Sequence, residues 1–107
     1  MTAEADINDA GTSQRLDKWL WFARMVKTRP LAVDLIRAGH VRVNGVKATA
    51  PARLVRTGDV LTVALTRQVR VLKVVAAGTR RGPYPEAVLL YEDLSPPAGS
   101  DGDEKAL

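Results

Sequence analysis

Residues 15–47 constrain the fold more than any other part of this chain, because two helix-like patterns run directly into a hairpin signal. Asn44-Gly45 is the dipeptide preferred at the centre of a two-residue type I′ turn, where both residues need positive φ angles. The flanking residues alternate, with Val41, Val43 and Val46 expected on one face and Arg42 and Lys47 on the other. Helices combined with a tightly turned antiparallel hairpin indicate an α+β fold.

The first helix is predicted over about residues 16–26, since apolar residues recur there every three or four positions. Ser13 is a candidate N-cap, and the carboxylate of Asp17 suits the first turn of a helix. The same pattern places Trp21 on the side opposite the core. The stripe expected to face the core is Leu16, Trp19, Leu20, Ala23 and Val26.

The second helix is predicted over about residues 29–38. Thr28 is its candidate N-cap, and Pro30 fits the first turn because its missing N–H is not needed there. Gly39 fits the left-handed position that commonly ends a helix. The apolar face of this helix consists of Leu31, Leu35 and Ala38, with Ala32 and Ile36 alongside.

The chain beyond Pro51 favours strands, because apolar and polar residues alternate there. After Leu54 and Val55 and a turn at Gly58-Asp59, strands over 60–65 and 69–75 are predicted to pair. A loop with two adjacent arginines follows. Residues 85–94 have helical spacing, and a strand over 88–91 remains the alternative.

Basic residues are concentrated in the middle of the chain. Residues 15–81 hold fifteen Lys and Arg against three Asp, although the whole chain has a net charge of only +4. Such a concentration attracts phosphate backbones or anionic membrane surfaces. The polar ends, residues 1–13 and 95–107, lack apolar periodicity, so we expect two disordered tails around one domain over 14–94.

The composition argues against several classes of function. Without cysteine and with His40 as the one histidine, the chain cannot assemble a conventional zinc site. It contains no phosphate-binding glycine loop and no nucleophile-elbow motif. No segment approaches the roughly 20 apolar residues of a membrane span, and the acidic amino-terminal run does not resemble a signal peptide. We expect a cytoplasmic, monomeric protein that is not an enzyme and uses no cofactor, metal, membrane or small-molecule substrate.

The order of these features resembles the S4 RNA-binding domain. The matching positions are Arg15, Leu16, Asp17, Thr28, Arg29, Ile36, Gly39, Val41, Val43, Asn44, Gly45, Gly58 and Asp59. The strings RLDKWLWFARMVKTR and RRGPYPEAVLLYED are similar to one branch of that superfamily, the ribosome-associated heat-shock protein 15 family. The resemblance implies two helices packed on a small, mainly antiparallel β-sheet, with a short carboxy-terminal element and a basic side that faces RNA.

The family resemblance also implies partners, namely ribosomal RNA, the large ribosomal subunit and peptidyl-transfer-RNA. The implied role is rescue or recycling of stalled subunits that carry a nascent chain on transfer RNA. Longer family members end in a basic helical extension, whereas this chain ends in an acidic run, so the contacts of that extension are not expected here. Two alternatives stay open: an RNA-targeting module beside a separate RNA-modifying enzyme, and a DNA-binding protein.

The predicted RNA-binding residues lie on the outer face of the first helix, on the turn after it and on the hairpin. They are Arg15, Lys18, Trp21, Arg24, Lys27, Thr28, Arg29, Arg42, Asn44, Lys47 and Arg53. The cations would contact phosphates, whereas Trp21 would stack on an unpaired base or a ribose. The alternative is that Trp21 packs against a neighbouring loop or the carboxy-terminal segment. Asp17 is interpreted as an ion-pair partner of Arg15 or Arg24 rather than as a catalytic acid.

Overall fold

The computed structural model describes residues 13–95. In chain order its elements are β1 (Gln14–Arg15), α1 (Leu16–Phe22), α2 (Arg29–Arg37), β2 (Val41–Val43), β3 (Val46–Lys47), β4 (Leu54–Val55), β5 (Val60–Ala64), β6 (Val69–Val74), α3 (Tyr84–Ala87), a 3₁₀ turn (Val88–Leu90) and β7 (Tyr91–Asp93). Apart from Ser13 and Ser95, the predicted tails lie outside the described residues, so their disorder stays a prediction. Ser95 itself is bonded to β6, because its Oγ accepts the Val71 N–H at 2.8 Å.

The strands form two antiparallel sheets. β1 pairs with β4, which sets Arg15 opposite Leu54, and the remaining five strands follow the order β3-β2-β5-β6-β7. The two longer helices and these sheets enclose one hydrophobic core, in which Trp19 and Ile36 from the helices meet Leu61 and Leu72 from the strands. The α+β architecture expected from the sequence is therefore confirmed.

The first helix is shorter than predicted, because it ends at Phe22 rather than near Val26. Arg24 has a φ of 63°, and its N–H donates to Trp21 O while Met25 N–H donates to Leu20 O. These two bonds form a Schellman motif, which normally has glycine at the left-handed position. An arginine occupies that position here, so this helix end could not be predicted from the sequence.

The start of α1 also differs from the prediction. Arg15 is the N-cap and makes no side-chain capping bond, so the assignment of Ser13 as the cap was wrong. The first helical N–H groups instead reach the backbone of a distant segment: Leu16 N–H donates to Arg53 O at 2.8 Å and Asp17 N–H to Pro51 O at 3.2 Å. The pairing of β1 with β4 brings these carbonyls to the helix terminus.

The second helix and the hairpin follow the sequence closely. Thr28 Oγ1 accepts the Leu31 N–H at 3.3 Å as the N-cap, and Gly39 ends the helix with a φ of 84°. Asn44 and Gly45 have φ angles of 52° and 84°, as a type I′ turn requires. Val46 lies opposite the buried Val43 but is 63% exposed, because its strand is at the edge of the sheet.

The segment over residues 76–82 packs along α1. Trp19 Nε1 donates to Ala76 O at 2.9 Å, and the Gln14 amide exchanges two hydrogen bonds with the Gly78 backbone at 2.9 and 3.0 Å. Beyond this segment the chain is helical from Tyr84 to Leu90 and extended over Tyr91–Asp93. The helical interpretation of residues 85–94 is therefore confirmed over 85–90 and wrong beyond. The strand alternative over 88–91 was wrong except at Tyr91, because pairing with β6 begins only there.

Candidate nucleic-acid interface

An ion cluster joins the start of α1 to the start of α2. The Arg15 guanidinium donates to both carboxylate oxygens of Asp17, at 3.1 Å from Nε and 3.0 Å from Nη2, and Arg29 Nε lies 3.5 Å from Asp17 Oδ2. The Asp17 side chain is 2% exposed, whereas those of Arg15 and Arg29 are 46% and 37% exposed. A buried carboxylate thus fixes two arginines that still reach solvent. The predicted pair with Arg15 is confirmed, but the partnership with Arg29 was missed.

The charge of Asp17 is set by two opposing effects. Burial alone would raise its pKa, but the hydrogen bond from Arg15 and the charges of Arg29 and Arg15 outweigh burial, so the pKa lies below the usual value of an aspartate. Asp17 is therefore ionised at neutral pH. One negative charge between two positive ones leaves the cluster cationic, which suits a phosphate ligand.

On α1, a partly exposed tryptophan packs on a buried phenylalanine beside a lysine. Trp21 is partly exposed and stacks on Phe22, with ring centroids 5.4 Å apart and an angle of 29° between the planes. Lys18 Nζ lies 5.7 Å from the centroid of the same Phe22 ring. Trp21 therefore contacts its neighbour in the helix and retains exposed surface, so stacking on a base stays a prediction.

The turn between α1 and α2 presents three of the predicted residues. Lys27 and Thr28 are exposed, and Thr28 uses its hydroxyl oxygen as the N-cap of α2. Arg24 is also exposed, but its Nε donates to Gly82 O at 2.7 Å. The carboxy-terminal segment thus anchors this arginine at the rim of the turn.

The hairpin residues separate into exposed cations and a structural amide. Arg42 and Lys47 are cross-strand partners on the exposed face, and Arg42 Nη1 donates to Gly45 O at 3.3 Å. Asn44 uses both ends of its amide within the fold: Nδ2 donates to Asp59 at 3.1 Å, and Oδ1 accepts the Val60 N–H at 2.9 Å. Asn44 therefore links the hairpin turn to the start of β5, and its contact with RNA stays a prediction.

Arg53 lies close to the ion cluster although it is far from it in sequence. Its side chain is exposed, and its carbonyl accepts the Leu16 N–H at the start of α1. The pairing of Arg15 with Leu54 places Arg53 one residue from the strand partner of Arg15. The backbone of Arg53 therefore lies beside the start of α1, next to Arg15, while Arg42 and Lys47 lie on the hairpin.

The structure also brings together two arginines that were not among the predicted site residues. Arg67 and Arg81 line a groove of about 750 Å³ with Arg24 and Lys27. Arg67 comes from the turn between β5 and β6, and Arg81 from the loop before α3. The Arg80-Arg81 pair was visible in the sequence, but only the docking of residues 76–82 places Arg81 beside the α1–α2 turn.

The described residues offer no metal centre. Over residues 13–95, no three His, Cys, Asp or Glu side chains are grouped so that they could hold a metal ion. Within the same range, no helix has the length and apolar character needed to cross a membrane. The chemistry available at the basic surface is that of hydrogen-bond donors and positive charge.

Comparison with known proteins places this geometry in a family. The S4 domain model matches residues 14–61, the part of the chain that holds the ion cluster, α2 and the hairpin. A solved structure of heat shock protein 15 from Vibrio cholerae, described as trimeric, is similar with a TM-score of 0.73 and 33% identity, over 88% of this chain and 91% of that one. The chain belongs to the heat shock protein 15 family.

Curated heat shock protein 15 sequences agree with this placement. Heat shock protein 15 of Escherichia coli (strain K12) is 43% identical over 81 residues, which cover 76% of this chain and 60% of the relative. The chain thus spans about 60% of the length of that relative. An "RQC P-site tRNA stabilizing factor" from Listeria innocua is 40% identical over 52 residues, or 49% of this chain and 55% of the relative.

Proposed function

We propose that this chain binds structured RNA through the surface formed by Arg15, Arg29, Lys27 and Arg53. The observation that carries the proposal is the ion cluster, in which the buried Asp17 holds two partly exposed arginines in fixed positions. The guanidinium N–H groups that do not face Asp17 can still donate to phosphate oxygens, and fixing the arginines in advance lowers the entropy lost on binding. Catalysis is no part of the proposal.

The RNA that we propose is ribosomal RNA of the large subunit. Membership of the heat shock protein 15 family supports this choice, and the similarity to a factor named for stabilising transfer RNA in the P site supports a role with stalled subunits that retain peptidyl-transfer-RNA. Phosphate contacts would provide affinity, while RNA shape and stacking by Trp21 would provide selectivity.

The contribution of phosphate contacts to RNA affinity is tested by salt titrations of two matched lysine variants. Lys27→Gln removes an exposed cation of the proposed surface, whereas Lys73→Gln removes an exposed cation on β6. For the unmodified chain, log affinity should fall steeply with log salt, and Lys27→Gln should reduce that slope by about one unit. Equal slopes for the two variants would show that Lys27 does not contact the RNA. A flat salt dependence of the unmodified chain would overturn the proposal.

The choice of nucleic acid is tested by comparing structured RNA with duplex DNA of equal charge at one salt concentration. Tighter binding to RNA is expected, because the proposed selectivity depends on RNA shape. Equal or tighter binding to the duplex DNA would favour the DNA-binding alternative.

The ribosomal target is tested by co-sedimentation. Purified large subunits, with and without peptidyl-transfer-RNA, are mixed with the chain and separated on sucrose gradients beside small subunits and intact ribosomes. We expect enrichment on free large subunits, and more when peptidyl-transfer-RNA is present. An even distribution over all fractions would refute the ribosomal assignment while leaving RNA binding in place.

The oligomeric state is a separate question. The sequence predicts a monomer, whereas the Vibrio cholerae relative is described as trimeric. Sedimentation equilibrium of the full chain, with and without RNA, distinguishes the two.

A further inference from the structure

A groove of about 750 Å³ lies between the α1–α2 turn, one side of α2 and the β5–β6 turn. We call it the α2 groove. Aliphatic side chains line it, among them Leu31, Leu35 and Leu65. Leu31 is 46% exposed, so apolar surface is accessible inside the groove. A cavity of this size is within the range that accommodates a group the size of one nucleotide.

Positive charge surrounds this apolar surface. Arg24, Lys27, Arg67 and Arg81 line the groove, and Asp34 is the one acid among the described residues that do so. The expected occupant therefore combines an apolar, planar or aliphatic part with a negative charge. A nucleotide meets both requirements, because its base is largely apolar on its faces and its phosphates are anionic.

The arginines at the α1–α2 side are held in place by backbone carbonyls. Arg24 Nε donates to Gly82 O at 2.7 Å, and Arg81 Nη2 donates to Val26 O at 3.3 Å. Within residues 13–95, the buried Nε of Arg81 has no hydrogen-bond partner. The bonds from Arg24 and Arg81 to backbone carbonyls fix both guanidinium groups beside the groove, so their positive charge is in place before a ligand binds.

We propose that the α2 groove receives one unpaired nucleotide of the bound RNA, with its base against Leu31 and Leu35 and a phosphate near Arg67 and Arg81. This inference rests on the proposed RNA binding, because the groove is continuous with that surface through Lys27. The same continuity favours RNA over an acidic peptide or a second copy of the chain. Sequence-selective recognition of RNA commonly uses such unpaired, exposed bases.

The test uses two RNA hairpins of equal length and charge, each closed by the same non-nucleotide linker so that the loop offers no unpaired base. One has a fully paired stem, and the other has a single bulged 2-aminopurine. Affinity for the full chain is measured at one salt concentration, together with the fluorescence of the bulged base. We expect the bulged hairpin to bind about fivefold more tightly or better, as burial of part of one base face implies. Fluorescence of the base should change on binding, since its surroundings become less aqueous.

Three variants separate the groove from the rest of the surface. Leu31→Ser and Arg67→Gln alter the groove at exposed positions, and Arg56→Gln is the matched control at an exposed arginine outside it. Both groove variants should bring the ratio of the two affinities close to one, and the control should leave that ratio unchanged. Circular dichroism verifies that each variant is folded.

The outcomes distinguish this inference from the proposed function. Equal binding of both hairpins, or an unchanged ratio in both groove variants, would overturn the groove assignment and leave RNA binding standing. Absence of binding to either hairpin would refute both. If Leu31→Ser instead changed the sedimentation behaviour of the chain and left the affinity ratio intact, the groove would be a contact between copies, and the proposal would be wrong.

Discussion

Replacing Asp17 with asparagine tests whether the buried carboxylate stabilises the fold through its two arginines. Asparagine preserves the size of the side chain and one acceptor oxygen, but it removes the negative charge and directs an NH₂ group towards cations. The substitution disrupts the paired hydrogen bonds from Arg15 at 3.1 and 3.0 Å and the ion pair with Arg29 at 3.5 Å.

The magnitude follows from the burial of the three side chains. Breaking a fully buried ion pair costs about 3–5 kcal/mol, because an unpaired charge remains in the interior. Here Arg15 and Arg29 are partly exposed, so both regain water after the substitution. We expect the free energy of unfolding to fall by about 2 kcal/mol. For a domain of this size, that corresponds to a decrease of roughly 10 °C in the melting temperature.

The pH dependence gives a sharper test. The folded-state pKa of Asp17 is lowered, so its stabilising effect is complete above the unfolded-state pKa of about 3.9 and is lost as the pH falls through the folded-state value. The difference in the free energy of unfolding between the unmodified chain and Asp17→Asn should stay constant from about pH 7 to pH 5 and decrease below about pH 4. Urea titrations at several pH values measure it.

Asp93→Asn is the matched control, because Asp93 also pairs with an arginine, Arg70 at 2.7 Å, but is 45% exposed. An exposed ion pair contributes about 0–1 kcal/mol, so this variant should lose less stability than Asp17→Asn. If the two variants were equally stable at pH 7, burial of Asp17 would not be the source of its effect. If the loss in Asp17→Asn were as large at pH 3 as at pH 7, the charge would not be the cause.

Three further substitutions test packing, capping and stacking. Gly78→Ala should lower the free energy of unfolding by about 1–3 kcal/mol, because the added methyl would lie 2.8 Å from Phe22 Cδ2 and 2.9 Å from Phe22 Cβ; an unchanged urea midpoint would contradict the close packing of residues 76–82. Thr28→Ala should lower it by about 1 kcal/mol through loss of the bond to Leu31 N–H, and Thr28→Ser should restore most of that loss. Trp21→Ala should weaken RNA binding by up to about 3 kcal/mol if the ring stacks on a base, while the domain stays folded; unfolding of this variant would make Trp21 a core residue.

Much of α2 and of the hairpin could be predicted because the signals are local. Thr28 satisfies an N–H three residues away, Gly39 adopts the left-handed conformation that ends a helix, and Asn44-Gly45 adopts the two positive φ angles of its turn. In each case the residue type fixes the geometry of its own backbone or of its close neighbours. The excess of basic residues could also be predicted, because net charge follows from the residue types alone.

The candidate site could be predicted in its residue types but not in its arrangement. Lys27 and Arg53 are exposed as expected, whereas Asn44 is engaged within the fold and Arg24 is bonded to Gly82. Arg67 and Arg81 were not among the predicted site residues, because nothing near either in sequence indicates the α2 groove.

The sequence by itself therefore determined the local elements, the α+β class and the excess of positive charge. Tertiary structure alone decided that Pro51 and Arg53 cap the start of α1, that Arg24 beyond its end donates to Gly82 O, and that Arg29 shares the carboxylate of Asp17. Contacts of this kind join residues that are far apart in sequence. They leave no periodic pattern in the chain, because their energy depends on distances that exist only after the sheets and helices have packed together.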